Sequence, residues 1–152
     1  MGPEVHSAMV AIHNVLRWVV VLAALAAIIG SWHGVFTRRE WTGGDRLRTV
    51  AYVASMHVQL LLGIILYANS PIVRVAFDDP GAAMGERGIR FFFVEHIFLM
   101  IIAVVVVQLG SILAKKADEP FRKHRRAAIC FTLGLVLVFA GTPWFRPLFP
   151  GL

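Results

Sequence analysis

Residues 8–32, AMVAIHNVLRWVVVLAALAAIIGSW, decide the fold of this chain. A helix needs about 20 predominantly apolar residues to cross the hydrocarbon core of a bilayer, and this stretch is longer than that. Three further apolar runs follow, at about residues 49–68, 91–114 and 127–145. The sequence therefore predicts an all-α fold, in which four transmembrane helices form an up-down-up-down bundle and a single membrane domain covers residues 1–152.

The composition excludes a soluble enzyme. Of the 152 residues, 58% are apolar and only 16% are charged, whereas an ordinary soluble domain has about 25% charged residues. The mean hydropathy is +0.72. A domain of this size has too little interior to bury so much apolar surface in water, so we expect lipid to be the solvent. The net charge of +6 then indicates membrane topology, and no nucleic-acid partner is expected.

Basic residues are distributed unevenly between the predicted loops. Ten Lys and Arg residues lie in the two loops at residues 33–48 and 115–126, and four lie on the opposite side of the bundle. Since basic loops stay in the cytoplasm, both termini and the loop at residues 69–90 are predicted to face outward. This outer loop opens with a helix stop at residues 69–71 and contains a turn signal at residues 78–81. It is either a surface connector or a lid over an outer site.

Ionisable side chains inside the predicted spans are the candidate functional residues, because such groups are costly in hydrocarbon. The five that lie well inside are His13, Arg17, His57, Glu95 and His96. Water or lipid headgroups can satisfy histidines nearer the span edges, so these are weaker candidates. They are His6, His33 and His124.

His13 and His96 have the same predicted depth. At 1.5 Å per residue, each lies roughly 9 Å below the outer edge of its span. The first and third helices of such a bundle are diagonal, so the two side chains are expected to point at each other across the core. That geometry suits the two axial positions of a haem iron. Arg17 lies one turn from His13, where it could pair with Glu95 or with a haem propionate.

Helical spacing extends this candidate site along the third span. Four residues share the face of His96, and the small ones would leave room for a flat macrocycle. They are Met100, which we expect to contact the cofactor, and Ala103, Val107 and Gly110. The second span has a polar and small stripe, Ser55, Gln59 and Gly63, which we interpret as a helix contact surface. His57 lies opposite this stripe and about 10 Å deeper than the other two histidines.

Short motifs are spread along nearly the whole chain: HNVLRW at residues 13–18, HVQ at 57–59, NSP at 69–71, RFFFVEH at 90–96, KHR at 123–125 and PW at 143–144. Together they resemble a family of small bacterial four-helix membrane proteins usually labelled cytochrome b. The resemblance implies one haem b and a place in the bacterial inner membrane. The absence of a CxxCH motif in the sequence agrees with haem that is not covalently attached.

Three functional hypotheses follow. In the first, the protein is a membrane-bound b-type cytochrome that transfers electrons between a quinol/quinone pool and a partner redox subunit or carrier. A quinol would bind under the outer loop, with Glu95 or His57 accepting its proton. In the second, it is an accessory subunit of a larger respiratory or photosynthetic complex and has no cofactor of its own. In the third, His13, His57, His96 and Glu95 hold a non-haem copper or iron ion.

Overall fold

The computed structural model describes residues 2–145, and no strand occurs within that range. A π-helical turn at Phe91–Glu95 joins two of the helices. The α-helices are α1 (Pro3–Thr37), α2 (Gly43–Asn69), α3 (Pro71–Asp78), α4 (Pro80–Gly85), α5 (Arg87–Arg90), α6 (His96–Lys115) and α7 (Pro120–Ala140). The predicted all-α class is confirmed.

Three helices in the described range are long and apolar enough to cross a membrane, which identifies a multi-pass membrane protein. They are α1, α2 and the continuous helix Arg87–Lys115 that contains α6. The fourth long helix, α7, both begins and ends earlier in the chain than the predicted span at residues 127–145, since it begins at Pro120. It ends at Ala140 instead of residue 145, because Pro143 has no backbone N–H to donate and its ring would clash with the preceding helical turn.

The four long helices form a ring in which α1 and α6 are diagonal. α1 packs against α2 and α7, and α6 packs against the same two helices. Small residues allow close approach between α6 and α7, where Gly110 lies against Cys130 and Gly134 lies against Val107. The diagonal placement of the first and third spans is therefore as predicted.

The surface of the bundle has the polarity expected for contact with lipid. Large apolar side chains point outward along every long helix, while the buried positions facing the axis are often small. The outward-facing examples include Leu22, Ile29, Leu61, Phe98 and Val136. Because lipid and core are equally apolar, the close approach of helices depends on small residues and on a few polar contacts.

Asp45, in the first turn of α2, stabilises the loop between α1 and α2 through hydrogen bonds. Its carboxylate is only 4% exposed and accepts hydrogen bonds from two nitrogens of Arg39, each at 2.6 Å, and from Arg48 at 2.9 Å. The backbone and hydroxyl of Thr42 donate to it as well, which caps α2. Arg39 also donates to the carbonyl of Gly30 in α1. The hydrogen bond with Asp45 raises the pKa of the Arg39 guanidinium.

The substitution Asp45→Asn should destabilise the protein by about 2–3 kcal/mol, because it removes the charge that two arginines share in a mostly buried site. Thermal unfolding of the purified protein in detergent measures the effect. Asp118→Asn is the matched control, since Asp118 is exposed. Equal melting temperatures for the two variants would contradict the assigned role of Asp45.

Candidate functional site

A cavity of about 640 Å³ lies inside the bundle at the end covered by α3. Its volume is within the range of roughly 300–1,000 Å³ that is typical of small-molecule pockets. All four long helices and the first turn of α3 contribute to its mostly apolar lining, and α3 forms a cover over it. The polar side chains in the lining include His13, Asn14, Arg17, Gln59, Tyr67 and His96.

His13 of α1 and His96 of α6 face each other across this cavity. Their ring centroids are 6.4 Å apart, and the ring planes are inclined at 71°. An imidazole nitrogen binds a metal ion at about 2 Å and lies about 1 Å from its own ring centroid, so two axial imidazoles on one ion have centroids roughly 6 Å apart. The predicted meeting of the two histidines is confirmed, and their separation suits ligation of one metal ion.

The backbone carbonyl of Gly141 determines the tautomer of His96. Nδ1 of His96 lies 2.6 Å from this carbonyl oxygen. Because a carbonyl can only accept, Nδ1 carries the hydrogen and Nε2 keeps the lone pair that a metal ion requires. Metal-binding histidines usually have their second ring nitrogen held in this way. The early end of α7 frees the Gly141 carbonyl for the contact.

Two residues of the predicted polar stripe on α2 position His13. The side-chain amide of Gln59 donates to the backbone carbonyl of His13 at 3.0 Å. A Cβ atom at Gly63 would lie 3.3 Å from Cε1 of the imidazole, so glycine makes room for the ring. The predicted helix contact is present, and the sequence did not indicate that it also supports the candidate site.

Two polar atoms beside this contact lack hydrogen bonds. Nδ1 of His13 and Oε1 of Gln59 are both buried, and neither has a hydrogen-bond partner among residues 2–145. Buried polar atoms are nearly always satisfied, so each such atom calls for an explanation, for example an ordered water or a bound group. The observation fits a site that is completed by a ligand.

The π-helical turn Phe91–Glu95 directly precedes His96 and sets the angle of its side chain. The N–H of His96 bonds to the carbonyl of Phe91, five residues back. A π turn inserts an extra residue and rotates the helix that follows, and such turns are frequent at functional sites. The hydroxyl of Tyr67 in α2 donates to the carbonyl of Phe93 in this turn at 3.0 Å. No signal in the sequence identifies the π turn.

The structure places the other predicted cofactor contacts in the cavity and moves Glu95 away from it. Arg17 and Met100 both contribute to the lining, and the Arg17 guanidinium carbon lies 5.6 Å from the ring centroid of Trp18. Glu95 forms an ion pair with Arg90 at 2.7 Å, not the expected pair with Arg17. The partly exposed carboxylate of Glu95 does not line the cavity.

His57 is exposed on the outer face of α2, and its Nδ1 lies 2.8 Å from the carbonyl oxygen of Val53. It is about 100° around the helix from Met56, which lines the cavity. Within residues 2–145, no three His, Cys, Asp or Glu residues are close enough to hold a metal ion. The structure therefore does not assemble the non-haem site predicted from His13, His57, His96 and Glu95.

His124 is more buried than its position at a span edge suggests. Its side chain is fully buried, and its ring centroid lies 4.8 Å from that of Trp41. A Cβ atom at Gly34 would overlap the ring, so glycine is required there. His124 of α7 thus packs tightly against α1 and the α1–α2 loop. The hydropathy pattern does not predict this structural role.

The site combines two facing imidazoles, a fixed tautomer at His96 and mostly apolar walls, a set of groups that would suit an apolar ligand that also interacts with imidazole nitrogens. No family model, no curated protein and no solved structure matches this chain.

Nitrogen-15 NMR of the cofactor-free protein should show His96 as the Nδ1–H tautomer, because Nδ1 donates to Gly141. The His96→Ala variant assigns the signal. An Nε2–H tautomer at His96 would contradict the assigned hydrogen bond.

Proposed function

We propose that the protein is a membrane-bound b-type cytochrome in which His13 and His96 are the axial ligands of one haem b. The observation that carries this proposal is the 6.4 Å separation of the two ring centroids across a cavity of ligand size. The Nδ1–H tautomer of His96 and the buried, unpartnered Nδ1 of His13 support it. The motifs that contain the two histidines, at residues 13–18 and 90–96, also resemble small bacterial cytochromes b, and that resemblance is the reason for naming haem b.

When bound, haem b supplies a one-electron carrier whose potential depends on its axial ligands and on the polarity around it. The residues of this chain bind and orient the group and exclude water from it. The Gly141 carbonyl holds His96 in its ligating tautomer, and Gln59 fixes the backbone that carries His13. Arg17 provides a positive charge for a propionate. Apolar side chains, among them Val20, close the floor of the cavity.

The proposed setting is the bacterial inner membrane, with α7 as the fourth span and the cavity in the outer half of the bundle. Ten basic residues at the opposite end support that orientation. A quinol that reaches the cavity beneath α3 would be the electron donor, or a quinone there the electron acceptor, and a partner redox subunit or carrier would complete the transfer. Glu95 and His57 lie outside the cavity lining, so we assign neither of them a role in proton transfer.

The purified protein should contain one haem b per chain, with the absorption spectrum of a six-coordinate low-spin haem. The substitutions His13→Ala and His96→Ala should each reduce the haem content by at least about tenfold, since each removes an axial ligand. His57→Ala is the matched control and should retain haem, because His57 faces away from the cavity.

Circular dichroism of each variant distinguishes loss of haem from loss of the fold. A folded wild-type protein that binds no haem when haem is supplied would overturn the proposal and favour the accessory-subunit hypothesis. Retention of a bis-histidine spectrum by the His96→Ala variant would overturn the ligand assignment.

A further inference from the structure

The outer surface between α6 and α7 is a shallow apolar groove. The two helices approach closely where Gly110 lies against Cys130. On the side that faces away from the bundle axis, four side chains form the rims of the groove, and each is between 41% and 52% exposed. They are Leu109 and Leu113 of α6 and Ile129 and Leu133 of α7.

Positive charge is concentrated at one end of this groove. Residues 115–126 contain six Lys or Arg residues and two acidic residues, Asp118 and Glu119. Arg122 and Arg126 precede Ile129 and Leu133 on α7 at the spacing of a single helix face. The same face therefore presents two guanidinium groups followed by an apolar surface.

With α7 as a span, we expect the guanidinium groups to lie near the depth of lipid phosphates. Arg126 donates to the carbonyl of Leu113 at 2.9 Å, which places its guanidinium beside the last apolar turn of α6. The apolar part of α7, residues 127–140, is only about 21 Å long, whereas the hydrocarbon core is about 30 Å thick. A short span draws headgroups and flanking cationic side chains toward each other.

We propose that this groove binds one anionic phospholipid. Its phosphate lies between Arg122 and Arg126, and an acyl chain follows Ile129 and Leu133. The excess of cations selects an anionic over a zwitterionic headgroup, and the adjoining apolar rims select a lipid over free phosphate. Arg122 also forms an exposed ion pair with Glu119 at 3.2 Å, which a phosphate can replace. The proposal is independent of haem binding, because the groove lies on the outside of the bundle.

Native mass spectrometry of the full chain in detergent tests this proposal, with phosphatidylglycerol or phosphatidylcholine of identical acyl chains added in turn. The wild type should retain one phosphatidylglycerol with at least about tenfold preference. Arg122→Gln/Arg126→Gln should lose that preference. The matched control is Arg74→Gln/Arg87→Gln, which removes two exposed arginines at the α3–α5 end and should leave the preference intact.

Three results would overturn the proposal. The first is an equal loss of preference in the two double variants, which would show a response to net charge alone. The second is equal retention of the two lipids by the wild type. The third comes from the melting temperature of the wild type, which phosphatidylglycerol should raise and inorganic phosphate should not; an equal rise with both would refute the lipid assignment. If the Arg122→Gln/Arg126→Gln variant does not fold, the lipid preference of the single variant Arg122→Gln tests the proposal. This variant keeps the hydrogen bond from Arg126 to Leu113, and its preference for phosphatidylglycerol should fall.

Discussion

The hydrogen bond from His96 to the carbonyl of Gly141 connects most features of the candidate site. It requires α7 to end early, because a carbonyl in the helix interior would already accept an N–H four residues on. The π turn lies directly before His96, and such a turn rotates the helix that follows it and carries the imidazole. The bond in turn fixes which nitrogen of His96 can face His13. The hydrogen bond therefore connects three features of the site. They are the early end of α7, the π turn before His96, and the pairing of His96 with His13.

The two ends of the bundle satisfy their polar groups in different ways. At the end with the α1–α2 loop, Asp45, Arg39 and Thr42 satisfy one another, and His124 fits tightly over Gly34. At the other end, polar atoms of His13 and Gln59 surround a cavity and are not paired with each other. Between them, the rings of Tyr52 and Phe131 fill the middle of the core. The polar contacts of Asp45 at the first end stabilise the fold, while His13 and Gln59 at the second line the cavity.

Hydropathy and helical spacing were enough to predict the all-α class, the diagonal first and third spans and the meeting of His13 with His96. Those inferences depend only on the regular rise and turn of a helix, which lipid enforces over long runs. The errors arise where the helix is irregular. Beside the π turn, Glu95 pairs with Arg90, so of the two partners considered for Arg17 the carboxylate of Glu95 is not one, and the helix break after Ala140 ends α7 before residue 145. Depth along the membrane says nothing about facing, and the outward position of His57 agrees instead with its place opposite the contact stripe that contains Gln59 and Gly63.

The two histidines are held by different kinds of group, and this difference limits how the site can evolve. His96 is oriented by a backbone carbonyl, which exists whatever side chain occupies position 141, although bulk there would strike Met100. His13 is supported by the side chain of Gln59, which a single codon change can replace. The support of the His96 imidazole is thus nearly independent of side-chain identity. The support of His13 can be changed by a substitution at Gln59 on the neighbouring helix α2. In a cytochrome, that arrangement would let mutation tune the redox potential through one ligand without losing the other.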